Sequence, residues 1–330
     1  MRLFITGGSG FIGTTVVARA LARGDTVLNV DIKAPNVKAQ EVCWRELNIL
    51  ERDELIRTVA EFKPDYVIHL AAATGVDMPI PSPSHFLTNT QGVDNLVAAI
   101  RAAGTVKRTI YISSLLVCQN GYVPKSDTEY CPPNPYGQSK VDGELIVRGA
   151  EHGSEWVIVR PTSVWGPWFE HSYKKFFQMV SHGLYVHIQK AADITKPITY
   201  VGNASYMMER LLTAPSNRVA AQTFYLGDYP ECTVRQWAET VRRETDARWI
   251  PTLPYLPLKL AALFGDSLKL VGIHSFPLTS FRLKNLMTGA HYPIEKTQEA
   301  VGPLPYTLVD GVRESVRWMR DQGFLPAKRR

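Results

Sequence analysis

The chain has 330 residues, of which 45% are hydrophobic and 21% charged, a composition typical of a folded protein large enough for more than one core. Its formal net charge of +6 comes from scattered basic residues, with "KRR" at the C-terminus as the one dense block, so we expect no nucleic-acid partner. The four cysteines lack metal-ligand spacing, glycines interrupt the first apolar run, and no run reaches the roughly 20 apolar residues of a membrane span. We therefore expect no metal, no signal peptide and a cytoplasmic location.

The first predicted elements are a strand, a tight turn and a helix. The apolar run "RLFIT" ends in glycines, and "FIGTTVVARALARG" follows with apolar residues at helical spacing. Between them, Gly7, Gly10 and Gly13 form a GxxGxxG pattern. Glycines in such a turn let the backbone approach a pyrophosphate, and the N-terminus of the following helix offers N–H groups to the anion. The pattern predicts a dinucleotide-binding turn.

The second predicted strand, "DTVLNVD", ends in a carboxylate. Asp31 lies eighteen residues beyond Gly13, where an acidic side chain can accept hydrogen bonds from the adenosine ribose hydroxyls. A carboxylate there repels a 2′-phosphate, which favours NAD over NADP. Lys33, two residues later, softens that preference.

Three further elements continue the alternation. "PDYVIHLAA" (64–72) and "VKRTIYISS" (106–114) have the pattern of buried strands, and "HFLTNTQGVDNLVAAIRAAG" (85–104) has that of an amphipathic helix. This order predicts an α/β fold with a doubly wound parallel sheet of the Rossmann type, in which ligands bind at the carboxyl ends of the strands.

The stretch "NPYGQSK" places Tyr136 four residues before Lys140, so both side chains lie on one face of a predicted helix. A free tyrosine has a pKa of about 10 and is a weak base at neutral pH. A nearby ammonium and a positive nicotinamide ring both favour the phenolate, which would allow Tyr136 to take a proton from a substrate hydroxyl while hydride leaves the same carbon.

In these motifs the chain resembles the extended short-chain dehydrogenase/reductases. The resemblance rests on the glycine turn, Asp31, "HLAA", Asn89 in "NTQGVDNL", the serine pair after the fourth strand, and "YGQSK". It continues through "VIVRPTSVWGP" and "ITYVGNAS" to "DGVRESVRW" and so covers nearly the whole chain.

The resemblance implies roles for individual residues. Ser114 matches the hydroxyl that holds the reacting oxygen, although Cys118 and Gln119 replace the tyrosine and glycine that follow it in the family's pattern. Tyr136 and Lys140 match the catalytic pair, and Lys140 also bonds the nicotinamide ribose. The candidate substrate residues are Thr74, Ser114, Ser163 and Arg282, and the candidate cofactor residues are Gly7, Gly10, Phe11, Ile12, Gly13, Asp31, Asn48, Ile49, Leu70, Ala71, Ala72, Asn89, Tyr136 and Lys140.

The residues after Ser114 limit the reaction. Dehydratases of the family place acidic residues there, whereas this chain has Leu115 and Leu116, which cannot transfer protons. Cys118 is four residues past Ser114, a poor match to the additional acid/base of other epimerases, and we interpret it as a small buried thiol. The favoured function is therefore NAD-dependent oxidation at one carbon of a nucleotide sugar, more like 4-epimerisation than dehydration.

Two alternatives stay open. Ser163 stands where nucleotide-sugar enzymes commonly have an asparagine, and the leucine-rich "PTLPYLPLKLAALFG" resembles a segment of hydroxysteroid-type dehydrogenases, where an apolar surface serves a lipid-like substrate or a peripheral membrane contact. A non-catalytic dinucleotide sensor is the third reading, although such relatives usually lose the tyrosine or lysine. Arg282 in "SFRLKNLMTG" roughly matches an arginine that binds the diphosphate in nucleotide-sugar enzymes of the family. This match favours a nucleotide sugar as the substrate.

The expected domain organisation is interleaved. Residues 1–165 are predicted to form the NAD-binding Rossmann domain, to which a late strand near 223–228 returns, and residues 166–330 mainly a smaller substrate lobe. The aromatic residues in "WGPWFEHSYKKFFQMV" are expected mostly in the core of that lobe. By resemblance, the helix near 84–103 and the "YGQSK" helix form the interface of a homodimer.

Overall fold

The computed structural model describes residues 1–74, 83–169, 172–189, 193–270, 279–287, 289 and 291–327. Within it the chain divides into two compact units. The first unit comprises Met1–Val164, Thr199–Gly227 and Pro293–Pro305, and the second unit comprises Trp165–Ile198, Asp228–Tyr292 and Tyr306–Arg330. The late strand and the segment Pro293–Pro305 therefore belong to the same unit as the N-terminal half.

A seven-stranded parallel sheet forms the centre of the first unit. Its order is β11-β6-β5-β4-β1-β2-β3, and each neighbouring pair is parallel. Except for the edge strand β3, whose residues are half-buried or exposed, the strands are short and mostly buried runs, as expected for a parallel sheet covered by helices. They are β1 (Arg2–Thr6), β2 (Thr26–Asp31), β3 (Trp44–Glu46), β4 (Tyr66–His69), β5 (Arg108–Ile112), β6 (Glu155–Pro161) and β11 (Gln222–Leu226).

Helices cover both faces of this sheet. On one face α2 and α3 pack together over a core that includes Phe4, Val67 and Ile158, and α4 adds Val147. On the other face α1 packs on α6, and α11 packs on α6 and β11. The helices are α1 (Phe11–Ala22), α2 (Arg52–Phe62), α3 (Gln91–Ala103), α4 (Pro135–Gly149), α6 (Val201–Thr213), α7 (Ser216–Val219) and α11 (Glu295–Val301).

The predicted helix at 85–104 is divided in the structure. A 3₁₀ segment covers Pro83–Asn89, and α3 begins only at Gln91. The Asn89 side chain bonds the backbone of Ala73, which fixes the chain just before α3 and separates the two segments. Two other 3₁₀ segments, Lys38–Cys43 and Leu115–Val117, lie in loops.

The second unit is mainly helical. Trp165, Phe169 and Phe177 are almost fully buried in its aromatic core, where Trp165 contacts Trp237, so the predicted core role of these aromatics is confirmed. Its elements are α5 (Ser172–Ser181), β8 (His187–Ile188), β9 (Thr195–Lys196), α8 (Val234–Glu244), β12 (Cys232–Thr233), β13 (Thr252–Leu253), α9 (Tyr255–Leu270), α10 (Ser280–Met287) and α12 (Leu308–Asp321), while β7 (Ser163–Trp165) and β10 (Ile198–Tyr200) lie where the chain passes between units.

Short strands and side-chain caps organise the second unit. β8 pairs with β13, and β9 pairs with β12. Helices α8 and α12 each begin with a capping box, formed by Thr233 with Gln236 and by Thr307 with Asp310. Among the described residues, we find no helix with the length and apolar character needed to cross a membrane.

Candidate functional site

The glycine turn lies at the carboxyl end of β1. Gly7 has a φ of +73°, and a Cβ on it would come within 2.5 Å of the Ala71 backbone nitrogen. A Cβ on Gly13 would come within 2.3 Å of the Gly7 carbonyl oxygen, so α1 can pack this closely on the turn only without a side chain. The turn requires glycine at these two positions because backbone, rather than flexible side chains, fills the space.

The space above the turn is open. A Cβ on Gly10 would meet only the Gly7 carbonyl oxygen, at 3.4 Å, among the described atoms. Gly10 is also the N-cap residue of α1, and no described side chain caps this helix. Phe11 and Ile12, which begin α1, are half-buried beside the opening. A pyrophosphate fits such a turn because it needs close backbone approach and the positive end of the helix dipole.

Asp31 lies directly beside this turn. Its Oδ2 accepts a hydrogen bond from the Ser9 backbone N–H at 3.0 Å, and its Oδ1 accepts one from the Lys33 backbone N–H at 3.1 Å. The buried Asn29 supports the same loop, since its Oδ1 accepts a bond from the Gly8 backbone N–H at 2.9 Å. The carboxylate is thus held next to the helix N-terminus, and Asn29 is a supporting residue that our reading of the sequence missed.

Other candidate cofactor residues follow the neighbouring strands. Asn48 is half-buried and its Oδ1 accepts a bond from the Leu50 backbone N–H at 3.0 Å, while Ile49 is buried in the core. After β4, Leu70, Ala71 and Ala72 are half-buried in the loop opposite the glycine turn, and the Ala71 N–H donates to the Thr6 hydroxyl at 3.3 Å.

Asn89 has a different environment from the one expected of a cofactor contact. Its side chain is buried, and its amide accepts a bond from the Ala73 N–H at 2.8 Å and donates to the Ala73 carbonyl at 2.9 Å. It also donates to the Ser139 hydroxyl on α4 at 2.9 Å. Asn89 therefore ties the loop after β4 to the helix that carries Tyr136.

Ser114 and Tyr136 are brought together by close packing of α4. Asn134 caps this helix by accepting a bond from the Gly137 N–H at 2.8 Å, and Pro135 occupies its first position. A Cβ on Gly137 would lie 2.2 Å from the Leu116 carbonyl oxygen, so this glycine lets α4 approach the loop after β5. Burial raises the pKa of Tyr136, and hydrogen bonding to the Ser114 side chain partly opposes this rise.

Lys140 lies on the same face of α4 but does not bond the Tyr136 hydroxyl. Its Nζ donates to the Ile112 carbonyl at 3.1 Å and lies 6.0 Å from the centre of the Tyr136 ring. Burial lowers the pKa of Lys140 to about 8, against the opposing charge of Glu144. The sequence predicted that the Lys140 ammonium lowers the pKa of Tyr136. In the protein alone Lys140 has no such effect, because its ammonium bonds the Ile112 carbonyl and not the Tyr136 hydroxyl.

The two neighbouring serines have different partners. The buried Ser113 donates to Glu144 Oε1 at 2.5 Å, whereas Ser114 is half-buried and accepts a bond from the Leu116 N–H at 3.1 Å. The serine that hydrogen-bonds Tyr136 is thus Ser114, and its catalytic role stays a prediction. Cys118 is buried, and burial raises the pKa of its thiol to about 12, as suits the inert thiol that we predicted.

A buried ion pair below Lys140 was missed by sequence reasoning. Glu144, one turn after Lys140, accepts bonds from Arg160 Nε at 2.8 Å and Nη2 at 2.7 Å, and from the Tyr130 hydroxyl at 3.0 Å. Although burial lowers the pKa of Arg160, its bonds to Glu144 and the Glu144 charge raise it above its usual value. The only sequence signal is the spacing of Glu144 from Lys140, since nothing local identifies Arg160 as its partner.

A small cavity of about 20 Å³ lies next to this pair, lined by His69, Ser113, Lys140 and Glu144 among others. A cavity of this size holds about one water molecule. His69 donates to or accepts from the Thr6 hydroxyl at 2.7 Å, and burial and the charge of Lys140 lower its pKa to about 3. His69 is therefore neutral at physiological pH and adds no charge beside Lys140.

The predicted substrate residues are less closely defined. Thr74 and Ser163 are exposed, and neither contacts the Ser114–Tyr136 pair in the bonds described. Arg282 lies on α10, but its side chain is outside the described part of the chain. Residues 271–278, which lie between α9 and α10 in the sequence, are also outside it.

The comparison with known families identifies the chain. The NAD dependent epimerase/dehydratase family matches residues 3–227. The chain belongs to this family. It is accordingly an NAD-dependent enzyme of the extended short-chain dehydrogenase/reductase type, and the predicted family, fold class and cofactor are confirmed. The open glycine turn and the adjacent carboxylate fit this cofactor.

Individual relatives of this epimerase/dehydratase chain are distant but extend over its length. It is 26% identical, over 96% of its own length and 94% of the relative's, to N-acetyl-alpha-D-glucosaminyl-diphospho-ditrans,octacis-undecaprenol 4-epimerase from Escherichia coli O157:H7. It is 26% identical, over 99% and 97% of the two chains, to UDP-glucose 4-epimerase from Vibrio cholerae. The solved UDP-glucose 4-epimerase from Thermotoga maritima shares the fold, with a TM-score of 0.71 at 21% identity over 98% and 99% of the chains.

Proposed function

We propose that this enzyme is a 4-epimerase whose substrate is a sugar joined to a diphosphate, as in a nucleotide sugar. The observation that carries the proposal is that, in the described part of the chain, Tyr136 is the acid/base side chain in contact with Ser114. Ser114 contacts Tyr136, and the next two side chains, Leu115 and Leu116, have no acid or base function. Removal and return of hydride at one carbon needs only one proton relay, whereas elimination of water needs a second acid/base.

Each of the three residues has a role that follows from its position. Tyr136 exchanges the proton of the substrate hydroxyl, and Ser114 bonds the same oxygen and orients it. Lys140 places a positive charge on the same face of α4, held by the Ile112 carbonyl. When bound, NAD supplies the hydride acceptor and a positively charged ring that favours the Tyr136 phenolate.

The glycine turn and Asp31 are the proposed cofactor site. The backbone N–H groups at the start of α1 would bind the pyrophosphate, and the Asp31 carboxylate would accept bonds from the adenosine ribose. Asn48, Ile49 and the loop at 70–72 would line the remainder of the cofactor. In this proposal the first unit holds NAD, and the second unit, with Arg282, contributes mainly to the substrate.

Two further properties are part of the proposal. The four cysteines are free, as is usual in a reducing compartment, which supports a cytoplasmic location. Leu87 and Leu145 are exposed large hydrophobic residues next to α3 and on α4, which supports a homodimer through these two helices. Light scattering coupled to size-exclusion chromatography would test the dimer, with a monomer as the contradicting result.

The reaction can be tested by product analysis with UDP-glucose and UDP-N-acetylglucosamine. A 4-epimerase gives a product of unchanged mass with inverted configuration at C4 and no net NADH. A dehydratase gives a product lighter by one water, and a dehydrogenase gives NADH in proportion to product. Stoichiometric NADH with a sterol, and no reaction with any sugar diphosphate, would instead favour the hydroxysteroid-type alternative suggested by the leucine-rich segment.

A further inference from the structure

Helix α9 has apolar residues on two faces. Its inner face contributes Ala262, fully buried, and the half-buried Tyr255 and Leu258 to a small core with Ile188 and Leu283. This contact accounts for one side of the helix. A helix that is apolar all round is normally buried on every side, so the opposite face needs a separate explanation.

The outer face of α9 is apolar and exposed. Leu256, Leu260, Leu263 and Phe264 are between 49% and 64% exposed. Their spacings of four, three and one residues place them along one stripe of the helix. Four large hydrophobic side chains on one stripe are more than the scattered single residues that a protein surface ordinarily carries.

The apolar surface continues beyond the helix. Trp249 is 74% exposed in the segment before α9, and Leu253 on β13 is also exposed. β13 pairs with β8, and the chain entering β8 carries Leu184, which is 70% exposed. A Cβ on Gly183 would lie 4.0 Å from the Arg248 Cβ, so Leu184 and the segment before α9 lie in the same part of the second unit. We call the surface formed by Leu184, Trp249, Leu253 and the stripe of α9 the apolar face.

The exposed charges of this segment are basic. Between residues 248 and 268 the exposed charged side chains described are Arg248 and Lys259. The carboxylate of Asp266 is half-buried, and its two oxygens accept bonds from the Ser280 N–H at 3.2 and 3.3 Å. An apolar stripe, an exposed tryptophan and flanking basic residues match the chemistry of an anionic lipid surface, in which tryptophan lies at the interface and basic residues meet the headgroups.

We propose that the apolar face docks the enzyme on an anionic membrane, where it acts on a sugar whose diphosphate is joined to a membrane lipid. The proposal rests on the proposed 4-epimerase function and specifies what the diphosphate carries. The Escherichia coli O157:H7 relative, which aligns over nearly the whole chain, is named as an epimerase of a sugar diphospho-undecaprenol. The lipid confines such a substrate to the bilayer, so an enzyme bound to the membrane reaches it more readily than an enzyme in solution.

Docking is tested by flotation of the purified protein with vesicles of phosphatidylcholine alone or with one third phosphatidylglycerol. We expect binding to the anionic vesicles, and a decrease of at least about tenfold for the double variant Leu256→Gln/Leu260→Gln. Val42→Gln/Val309→Gln, which changes two exposed hydrophobic residues elsewhere, is the matched control and should bind like the unmodified protein. Unchanged thermal unfolding would show that the α9 variant is folded.

Absence of flotation, or equal flotation of the α9 variant, would overturn the docking proposal. The proposal would also be overturned if the protein bound no vesicles and Leu256→Gln/Leu260→Gln converted a dimer to a monomer. In that case the apolar face would be an interface between two copies of the chain. Both readouts are independent of catalysis.

The substrate class is tested by comparing polyprenyl-diphosphate N-acetylglucosamine in anionic vesicles with UDP-N-acetylglucosamine in solution. We expect 4-epimerisation of the lipid-linked sugar, reduced at least about tenfold by the α9 double variant on vesicles but unchanged for a short-chain prenyl analogue in solution. Turnover of the nucleotide sugar alone would overturn this inference and leave the 4-epimerase function standing. Failure of folded, NAD-binding protein to epimerise either sugar would instead contradict the proposed function.

Discussion

The buried pair Glu144–Arg160 gives a prediction with both a stability and a kinetic component. The change is Glu144→Gln, which keeps the shape of the side chain but removes its charge. Arg160 and Glu144 are 0% and 2% exposed, and the guanidinium makes two bonds to the carboxylate. Removing one partner leaves a buried charge uncompensated, which costs about 3–5 kcal/mol in the free energy of unfolding.

The same variant should change the titration of Lys140. Side chains four residues apart on a helix lie about 6 Å from each other. At an effective dielectric constant of about 20 the Lys140–Glu144 attraction is on the order of 3 kcal/mol, of which Arg160 neutralises a part. We therefore expect the pKa of Lys140 to fall by about one unit. If the ammonium is the active form, the alkaline loss of kcat moves to lower pH.

Urea-induced unfolding and a pH profile of kcat between 6 and 10 measure the two effects. Glu61→Gln, which removes an exposed carboxylate 3.7 Å from Arg45, is the matched control and should cost less than about 1 kcal/mol. Adding Arg160→Met to Glu144→Gln should restore part of the lost stability, because no buried charge then stays unpaired. A loss below about 1 kcal/mol for Glu144→Gln, with no shift of the alkaline limb of the pH profile, would show that the Glu144–Arg160 pair has neither effect.

Two further variants test the cofactor turn and the lysine. Gly13→Ala places a Cβ against the Gly7 carbonyl, so NAD binding measured by calorimetry should weaken at least about tenfold, whereas Gly149→Ala, which meets nothing within 4 Å, should bind normally. Lys140→Met should abolish turnover yet raise the free energy of unfolding at pH 7 by on the order of 3 kcal/mol, because the folded state holds this group at a pKa of about 8, below its unfolded value. Between pH 8 and 10.5 Lys140 is protonated only in the unfolded state, so the free energy of unfolding of the unmodified protein rises with pH. The extra stability of Lys140→Met should therefore decrease over this range. A difference in stability that does not change with pH would contradict the prediction.

The fold class was predictable because it depends on local patterns. Short apolar runs, each followed by a helical pattern, indicated the parallel sheet, and the glycine spacing indicated the turn at the end of β1. The sequence predicts that residues 166–330 form mainly the second lobe, and the structure groups two segments of this range, Thr199–Gly227 and Pro293–Pro305, with the first unit. The sequence of a short amphipathic helix does not specify its partner, because its apolar stripe can be buried against any apolar surface.

The relative positions of the candidate site residues were predictable where these residues are close in sequence. Tyr136 and Lys140 share a helix face, and Ser114 could be chosen over Ser113 by its offset. The electrostatics depend on contacts between distant segments. The Ile112 carbonyl holds the ammonium of Lys140, and Arg160 on β6 compensates Glu144, so neither effect can be inferred from the spacing within α4.

We propose that the Tyr136 hydroxyl carries the proton in a reaction that ends with inverted C4 and no net NADH. The most direct test of this proposal is the turnover of Tyr136→Phe with the accepted sugar diphosphate, followed by chromatography of the C4 epimers. We expect unchanged NAD binding and a fall in kcat of at least about a hundredfold, while Tyr66→Phe, at the start of β4, keeps normal turnover. Epimerisation by Tyr136→Phe within a few-fold of the unmodified enzyme would contradict it.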